Sequence, residues 1–358
     1  MDGVPRRKES LVRQASLDHS TLLDNWRGWA ILFVLVGHFI DPRGANFGRL
    51  GVELFFVLSG RLMADLLFLK RIALPRFFYR RATRVLPVSL LFVAVAYLAF
   101  PAGINHLSGA AALASAGMVI NYAQLAGVGS WVTGHYWSLC VEEHSYLALG
   151  LLAWVLRRGR RADGTTPAIA CLALAGLMIL NGWRVWHLQP DYYAVYWRSD
   201  VRAATIFLSV GLRVLFARDV PAGWRAPWIP VAAILAGLAL NTTHVPDPVK
   251  YSAGSLLIAL AINTLEQAWA WVRRFLSSRV VAWFGLVSYS LYICQQPFYD
   301  LLPHHARLPL LAGALATGVA VFYLYEQPLR RWLNNRRAAR SAPEPEPSST
   351  PLTRTTSP

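Results

Sequence analysis

The sequence predicts an all-α membrane protein, a polytopic bundle of about ten transmembrane helices with one additional re-entrant segment. Three observations lead to this fold class. Of the 358 residues, 55% are hydrophobic, only 15% are charged and 14 are tryptophans, a composition too apolar for a soluble domain of this length. Apolar runs recur along nearly the whole chain, and basic residues lie in short clusters between them.

Eleven apolar runs are candidates for crossing about 30 Å of hydrocarbon, which takes about 20 helical residues. They lie at 26–41, 50–69, 85–102, 107–126, 136–156, 168–187, 201–217, 228–243, 251–271, 280–300 and 309–327.

One of these runs is expected not to cross. If all eleven crossed, the arginines within 157–161 would lie outside, against the bias that keeps Lys and Arg in cytoplasmic loops. The weakest run is 107–126, because it is rich in Ala and Gly and carries Asn121 and Gln124. We interpret it as re-entrant, so that ten crossings leave both termini in the cytoplasm.

The two ends of the chain differ from its apolar centre. We predict a cytoplasmic N-terminal segment at 1–22, a transmembrane domain at 23–332 and a tail at 333–358 that begins basic and continues disordered. The disorder is expected because 341–358 is rich in Pro, Ser and Thr. The net charge of +16 lies in loop clusters, so the expected partner is a lipid bilayer and not nucleic acid.

The cysteines and histidines do not suggest a metal site. Cys140, Cys171 and Cys294 lie inside apolar runs with no CxxC or histidine spacing, which is typical of small buried hydrophobic residues. The pair His304–His305 has no evident third ligand.

Ionisable residues within a span are costly and often functional, which draws attention to Arg27 and His38 in the first run. They are eleven residues apart, so they share one helix face at roughly 16 Å along the axis. A guanidinium suits the phosphates of a nucleotide-bearing donor, and an imidazole can deprotonate a hydroxyl or carry an acyl group. Taken singly, a snorkelling boundary arginine and a hydrogen-bonded packing histidine are the simpler interpretations.

Arg27 and His38 lie in the first of six motifs that follow one another along the chain. They are LDNWRGWAILFVLVGH at 23–38, GVELFFVLSG at 51–60, RFFYRRATRVLP at 76–87, HYWSLCVEEHSYL at 135–147, FGLVSYSLYICQQP at 284–297 and YEQPLRRW at 325–332. In this order they resemble the motifs of the acyltransferase-3 family of integral membrane acyltransferases. One such motif would be weak evidence, but six in the correct order are hard to reconcile with chance.

The resemblance implies a catalytic group and a donor. His38 would be the catalytic histidine, acting as base or transient acyl carrier, and Arg27 would help to hold an acyl-coenzyme A donor, with acetyl-coenzyme A expected. Glu142 matches the family's more consistent glutamate and is a further catalytic candidate. A carboxylate there, with Ser138 nearby, can support the imidazole or act as acid or base; the alternative is a structural partner for a buried arginine.

Three arginines of the third motif are candidates for holding the donor. Arg80, Arg81 and Arg84 precede the third span, where guanidiniums can bind the phosphates of coenzyme A. An ordinary positive-inside cluster explains each of them equally well.

Further residues are candidate contacts of the substrates. They are Glu53, Trp137, Ser138, Glu143, Asp200 and Arg202. Two of these assignments have structural alternatives: Glu53 can pair with Arg49 four residues earlier, and Asp200 can form a surface ion pair with Arg202.

One position departs from the family pattern. Where many relatives have a histidine two residues before the proline of the fifth motif, this chain has Gln295. A second imidazole is therefore missing at this position.

The sequence thus predicts an O-acyltransferase of a bacterial inner membrane, acting on a hydroxyl of a glycan, a polysaccharide precursor or a lipid-linked oligosaccharide. Three alternatives stay open: a multi-pass transporter or exporter of a small acid or glycan, acylation of a macrolide-like small molecule, and an inactive assembly partner. No inverted internal repeat supports the transporter. The sequence does not indicate the oligomeric state.

Overall fold

The computed structural model describes residues 25–42, 44–103, 106–189, 191–217, 220–300 and 307–340. Within these ranges the chain is helical and contains no β-strand, although one backbone bridge joins Ala45 to Thr242. The predicted N-terminal segment at 1–22, the predicted disorder at 341–358 and the pair His304–His305 lie outside the described residues.

The helices follow one another with short connections. Their bounds are 25–40 for α1, with a π-helical end at Val36–Ile40; Phe47–Met63 for α2, continued by a π-helical segment Ala64–Leu69; Leu74–Ala99 for α3; Gly109–Ala116 for α4; Ile120–Leu125 for α5; Tyr136–Arg158 for α6; Thr166–Leu188 for α7; and Tyr192–Tyr196 for α8. Those that follow are Ser199–Arg202 for α9, Ala204–Phe216 for α10, Ile229–Leu240 for α11, Asp247–Gln267 for α12, Ala270–Leu276 for α13, Arg279–Cys294 for α14, Gln296–Asp300 for α15, and Arg307–Val321 for α16, which continues through a π-turn into Gln327–Arg340.

Several helices are long and apolar enough to cross a membrane. Among the described residues four meet this condition, namely α3, α6, α7 and the part of α16 at Arg307–Arg336. A fifth is added if α12 and α13, which are bent by 114° at a short break, form one span. The apolar helices α11 and α14 are shorter. The fold is therefore a helical multi-pass membrane fold, and the number of about ten crossings stays a prediction.

Two of the predicted boundary regions have a definite local structure. The run 107–126 forms the short helices α4 and α5, separated by Gly117 to Val119, so no single helix of spanning length forms there. At the other end, residues 333–340 continue α16 as a helix, where the sequence predicted the basic beginning of the tail.

Apolar side chains on the outer faces of the long helices are exposed. Leu98 on α3 is 77% exposed and Leu324 on α16 is 80% exposed. Leucines in such positions belong in contact with lipid, because a soluble protein rarely presents wide apolar faces to water. The interior instead contains buried polar and charged groups, including Glu53 and Arg202.

Close contact between α1 and α2 positions the first-helix residues. The side chain of Asn46 caps α2 by accepting a hydrogen bond from the Arg49 backbone N–H at 3.1 Å. A Cβ atom at Gly37 would collide with the Gly48 backbone, so glycine is required for the two helices to meet at this point. His38 follows directly, inside the π-helical end of α1, a geometry often found at functional sites.

Candidate active site

Two cavities lie at opposite ends of α1. The first, which we call the arginine cavity, has a volume of about 590 Å³, including space open to solvent, and is lined by Arg27, Ser59, Arg81, Arg84, Ser138 and Glu142, among others. The second, the histidine cavity, has a volume of about 1320 Å³ on the same measure, and its lining includes His38, His135, Trp137, Tyr193, Trp197 and Tyr299.

The two cavities share part of their walls. Val52 of α2 and Tyr292 of α14 line both of them. The cavities therefore approach one another between these two side chains, within the helical bundle and between the levels of Arg27 and His38.

The arginine cavity contains two cations without a partner among the described residues. Neither Arg27 nor Arg84 makes a hydrogen bond or ion pair there, and the two guanidiniums are close enough to repel each other. Arg84 also interacts electrostatically with the carboxylate of Glu326, but that carboxylate accepts a hydrogen bond from Ser290 at 2.5 Å. Positive charge in this half-buried wall is thus left available for an anion.

Arg81 is neutralised, in contrast to Arg27 and Arg84. Its guanidinium donates to Glu142 at 2.7 Å and to Glu143 at 2.9 Å, and it lies 4.1 Å from the ring centroid of Tyr146. Arg80, the fourth arginine predicted to hold the donor, is exposed and absent from the lining of the cavity.

Glu142 does not support the imidazole of His38. Its carboxylate accepts hydrogen bonds from Ser59 at 2.7 Å and Tyr146 at 3.0 Å, besides the bond from Arg81. It lines the arginine cavity, as does Ser138, whereas His38 lines the other. The geometry agrees with the alternative reading of Glu142 as the partner of a buried arginine.

Gln295 is the group that orients His38. The Nδ1 atom of His38 lies 2.7 Å from Oε1 of Gln295, and an amide oxygen only accepts hydrogen bonds. Nδ1 therefore carries the hydrogen of this bond, and in the neutral ring Nε2 keeps its lone pair. The ring also stacks on Tyr299 with centroids 4.4 Å apart and planes inclined by 19°. The imidazole is held in the tautomer that a base or nucleophile at Nε2 requires.

Aromatic side chains form much of the wall of the histidine cavity. Tyr193 and Trp197 stack with centroids 4.3 Å apart, and Trp137 lies against Tyr196 at 4.2 Å. Polar groups stand among these rings, including Asp41, Asn46, Arg49, Thr243, Gln296 and Asp300. Flat aromatic faces beside hydrogen-bonding groups suit a ligand that is apolar on its faces and polar at its edges.

Two predicted substrate contacts, Glu53 and Arg202, are instead paired with other groups. Glu53 binds Arg202, Thr205 and Ser255 inside the protein, and the Arg202 guanidinium lies 3.4 Å from the ring centroid of Tyr251. Glu53 and Arg202 line neither cavity. The predicted pairing of Glu53 with Arg49 is wrong, because Arg49 binds Asp247 at 3.1 Å.

Asp200 likewise has its own partners. Its carboxylate accepts from Arg198 at 2.9 Å, from Asn181 at 2.7 Å and from Tyr122 at 2.7 Å. The predicted ion pair of Asp200 with Arg202 is therefore wrong. Asp200 is absent from the linings of both cavities.

The predicted burial of the three cysteines is confirmed. All three cysteines are free thiols and buried. Within the described part of the chain, no three His, Cys, Asp or Glu side chains form a group that could hold a metal ion.

Comparison with known proteins extends the motif evidence to most of the chain. Residues 21–326 match the family described as an acyltransferase domain. The chain is 26% identical over 321 residues to the peptidoglycan O-acetyltransferase OatA of Listeria monocytogenes, covering 78% of this chain and 49% of that protein. It is 26% identical over 304 residues to the O-acetyltransferase OatA of Staphylococcus aureus, covering 77% of this chain and 50% of that protein.

The chain thus spans about half the length of the curated relatives it matches. No solved structure matches it. The match over residues 21–326, together with the all-helical multi-pass fold, shows that this chain belongs to the acyltransferase-3 family of membrane acyltransferases.

Proposed function

We propose that this protein is an O-acetyltransferase that moves an acetyl group from cytoplasmic acetyl-coenzyme A to a hydroxyl of a glycan on the opposite side of the membrane. One observation carries the proposal. An arginine pair available for an anion and an imidazole hydrogen-bonded at Nδ1 line two cavities that share Val52 and Tyr292 in their walls.

The arginine cavity suits the donor. Coenzyme A carries a diphosphate and a ribose phosphate, and guanidiniums bind phosphate through paired charge-assisted hydrogen bonds. Arg27 and Arg84 supply such groups, whereas Arg81 holds Glu142 and Glu143 in the wall. The pantetheine arm and its thioester would then extend along the cavity toward Val52 and Tyr292.

Basic residues favour the cytoplasm as the side of the arginine cavity. The beginning of α3, the end of α6 and the end of α16 carry arginine clusters, and Arg27, Arg81 and Arg84 line the cavity. The positive-inside bias then assigns this side to the cytoplasm. The same orientation gives the predicted ten crossings, a re-entrant 107–126 and cytoplasmic termini in a bacterial inner membrane.

The histidine cavity suits a glycan acceptor. Sugar rings present C–H faces and hydroxyl edges, which match the aromatic walls and the polar groups between them. The relatives named as O-acetyltransferases, one of them a peptidoglycan O-acetyltransferase, support the acetyl group and the glycan class.

In the proposed reaction Nε2 of His38 takes the proton of the acceptor hydroxyl as the hydroxyl oxygen attacks the thioester carbonyl carbon. The tetrahedral intermediate collapses, the C–S bond breaks, and His38 returns the proton to the departing sulfur. The same lone pair also permits a two-step route in which Nε2 first carries the acetyl group. Trapping an acetyl-imidazole by rapid acid quench and mass spectrometry distinguishes the two routes.

A labelling experiment tests the proposal. Purified protein in detergent receives acetyl-coenzyme A labelled in the acetyl group, with peptidoglycan fragments or uncharged chito-oligosaccharides as acceptor probes. We expect release of free coenzyme A and labelled glycan, and a rate about a hundred- to ten-thousand-fold lower for His38→Ala.

The matched control is His144→Ala. His144 is a histidine of α6 that binds Ser199 at 2.7 Å and lines neither cavity, so its replacement should leave turnover near the wild-type rate. Absence of thioester turnover by the wild-type protein, or an undiminished rate in His38→Ala, would contradict the proposal. Uptake of an intact solute without turnover would favour the transporter.

A further inference from the structure

A second imidazole lies in the histidine cavity. His135 immediately precedes α6, is 5% exposed and is part of the lining that also contains His38. The two rings are close enough to influence each other electrostatically.

The ring nitrogens of His135 lack a well-formed hydrogen bond. Both Nδ1 and Nε2 are enclosed and form no hydrogen bond of good geometry with a described residue; the interaction of the ring with the Ile293 backbone is a weak one. A buried polar group without a good hydrogen bond destabilises the fold. Such groups are rare in folded proteins and call for an explanation.

The surroundings of His135 hold the ring in place. Its backbone carbonyl accepts hydrogen bonds from Tyr292 at 3.0 Å and from Ser138 at 3.1 Å, and these two hydroxyls are themselves 2.6 Å apart. The ring packs against the rings of Phe92, Tyr136 and Tyr292, with centroids 5.0 to 5.5 Å away.

These contacts place His135 where the two cavities approach each other. Tyr292 lines both cavities, and Ser138 lines the arginine cavity, whereas the His135 ring faces the histidine cavity. A thioester that extends from the arginine cavity between Val52 and Tyr292 therefore reaches a position beside this imidazole.

We propose that His135 donates a hydrogen bond from its ring N–H to the acyl carbonyl oxygen as negative charge develops on it, which makes His135 a catalytic residue for the reaction proposed above. The hydroxyl oxygen forms a bond to the carbonyl carbon, the C=O electron pair moves to oxygen, and His38 takes the hydroxyl proton. His135 keeps its own proton while binding the oxyanion. When the carbonyl re-forms, the C–S bond breaks and the departing sulfur receives the proton from His38.

The two imidazoles are suited to different parts in this step. Gln295 occupies Nδ1 of His38 and leaves a lone pair at Nε2, which is what a base needs. The ring nitrogens of His135 form no hydrogen bond of good geometry with a described residue, so a ring N–H can turn from the nearby Ile293 backbone to the substrate. A donor that waits preorganised in a site of low polarity stabilises developing charge strongly.

Three substitutions at this position test the proposal with labelled acetyl-coenzyme A. His135→Phe keeps a ring of similar packing and removes both nitrogens, His135→Ala removes the ring, and His135→Gln retains an N–H donor. Removal of one oxyanion donor lowers kcat about a hundred- to a thousand-fold, so we expect this loss in the Phe and Ala variants, with the KM for acetyl-coenzyme A little changed. The Gln variant should recover part of the lost rate.

Controls separate this proposal from the proposed function and from misfolding. Each variant is compared with His144→Ala for monodispersity and for thermal protection by coenzyme A. Absence of thioester turnover by the wild-type protein would contradict the proposed function itself. If the wild type turns over and His38→Ala does not, then Phe or Ala variants with wild-type kcat, or a Gln variant no better than Ala, would overturn the role of His135 alone. Should the Phe variant aggregate, the Ala and Gln pair decides the question.

Discussion

The two cavities of this protein are built from opposite kinds of chemistry although they share the side chains of Val52 and Tyr292. The arginine cavity presents the guanidiniums of Arg27 and Arg84 without a compensating ion pair among the described residues. The histidine cavity presents aromatic faces and the imidazole of His38, which is hydrogen-bonded to Gln295 and stacked on Tyr299.

The comparison also distinguishes cations that are paired within the fold from cations that are left available to a ligand. Arg202 is fully buried, and its charge is compensated by the carboxylate of Glu53 and by the ring of Tyr251. Arg27 and Arg84 lack such partners in the described chain, so they destabilise the empty site and gain from an anion. A half-buried cation is thus a candidate binding group here when its surroundings leave its charge uncompensated.

Among the effects on substrate binding, the largest is expected from removing charge in the arginine cavity. Loss of a hydrogen bond to a charged group costs about 1.5–3 kcal/mol, so Arg27→Gln should raise the KM for acetyl-coenzyme A about ten- to a hundred-fold. The KM for the acceptor should change little. Steady-state kinetics with each substrate varied in turn measures both values.

The control for this substitution is Arg76→Gln on α3. Arg76 is exposed and outside the lining of both cavities, so the same change of charge there should leave both KM values unaltered. Arg27→Gln should also lose thermal protection by coenzyme A without losing stability in its absence, because repulsion from Arg84 is relieved. An equal rise in the KM for acetyl-coenzyme A in both variants would contradict a specific role of the arginine cavity in donor binding.

A smaller effect is expected when the support of His38 is removed. Gln295→Leu deprives Nδ1 of its acceptor, and one hydrogen bond contributes about 1 kcal/mol, so kcat should fall roughly five- to tenfold with both KM values retained. Gln295→His supplies a ring nitrogen as acceptor and should restore much of the rate. A Leu variant with undiminished kcat would show that the contact at 2.7 Å does not orient the imidazole during turnover.

The sequence was sufficient for the fold class and for the family, because composition, apolar runs and ordered motifs are all local properties of the chain. It also placed Arg27 and His38 on one helix, and the structure brings each of them to a cavity. Partners distant in sequence could not be read in the same way. Glu53 lies four residues from Arg49, but its partner Arg202 is 149 residues away.

Gln295 likewise shows that a motif does not reveal a partner distant in sequence. The missing histidine was visible in the motif, but the contact of Gln295 with His38 spans 257 residues. His135 was inside the quoted motif HYWSLCVEEHSYL, and its placement two residues before Trp137 was the available signal. That its ring nitrogens form no good hydrogen bond with a described residue is visible only in the three-dimensional structure.

The aromatic wall provides a test of the histidine cavity. Aromatic contacts contribute about 0.5–1.5 kcal/mol, so Trp197→Ala should raise the acceptor KM about two- to tenfold while the donor KM stays constant. Trp183→Ala is the matched control, because Trp183 of α7 lies outside the cavity linings and contacts His187. A change of the donor KM in Trp197→Ala would mean that the cavities are not separate binding sites.

The smallest expected effect is the response to ionic strength. Salt screens exposed and half-buried charges, with a Debye length of about 10 Å at 0.1 M, and the arginine cavity opens to solvent. Raising the salt from about 0.05 to 0.5 M should therefore raise the KM for acetyl-coenzyme A a few-fold. The KM for an uncharged chito-oligosaccharide should stay constant, because aromatic faces bind it without charge. In Arg27→Gln the salt dependence of the donor KM should shrink; an unchanged dependence would assign donor attraction to arginines outside the cavity.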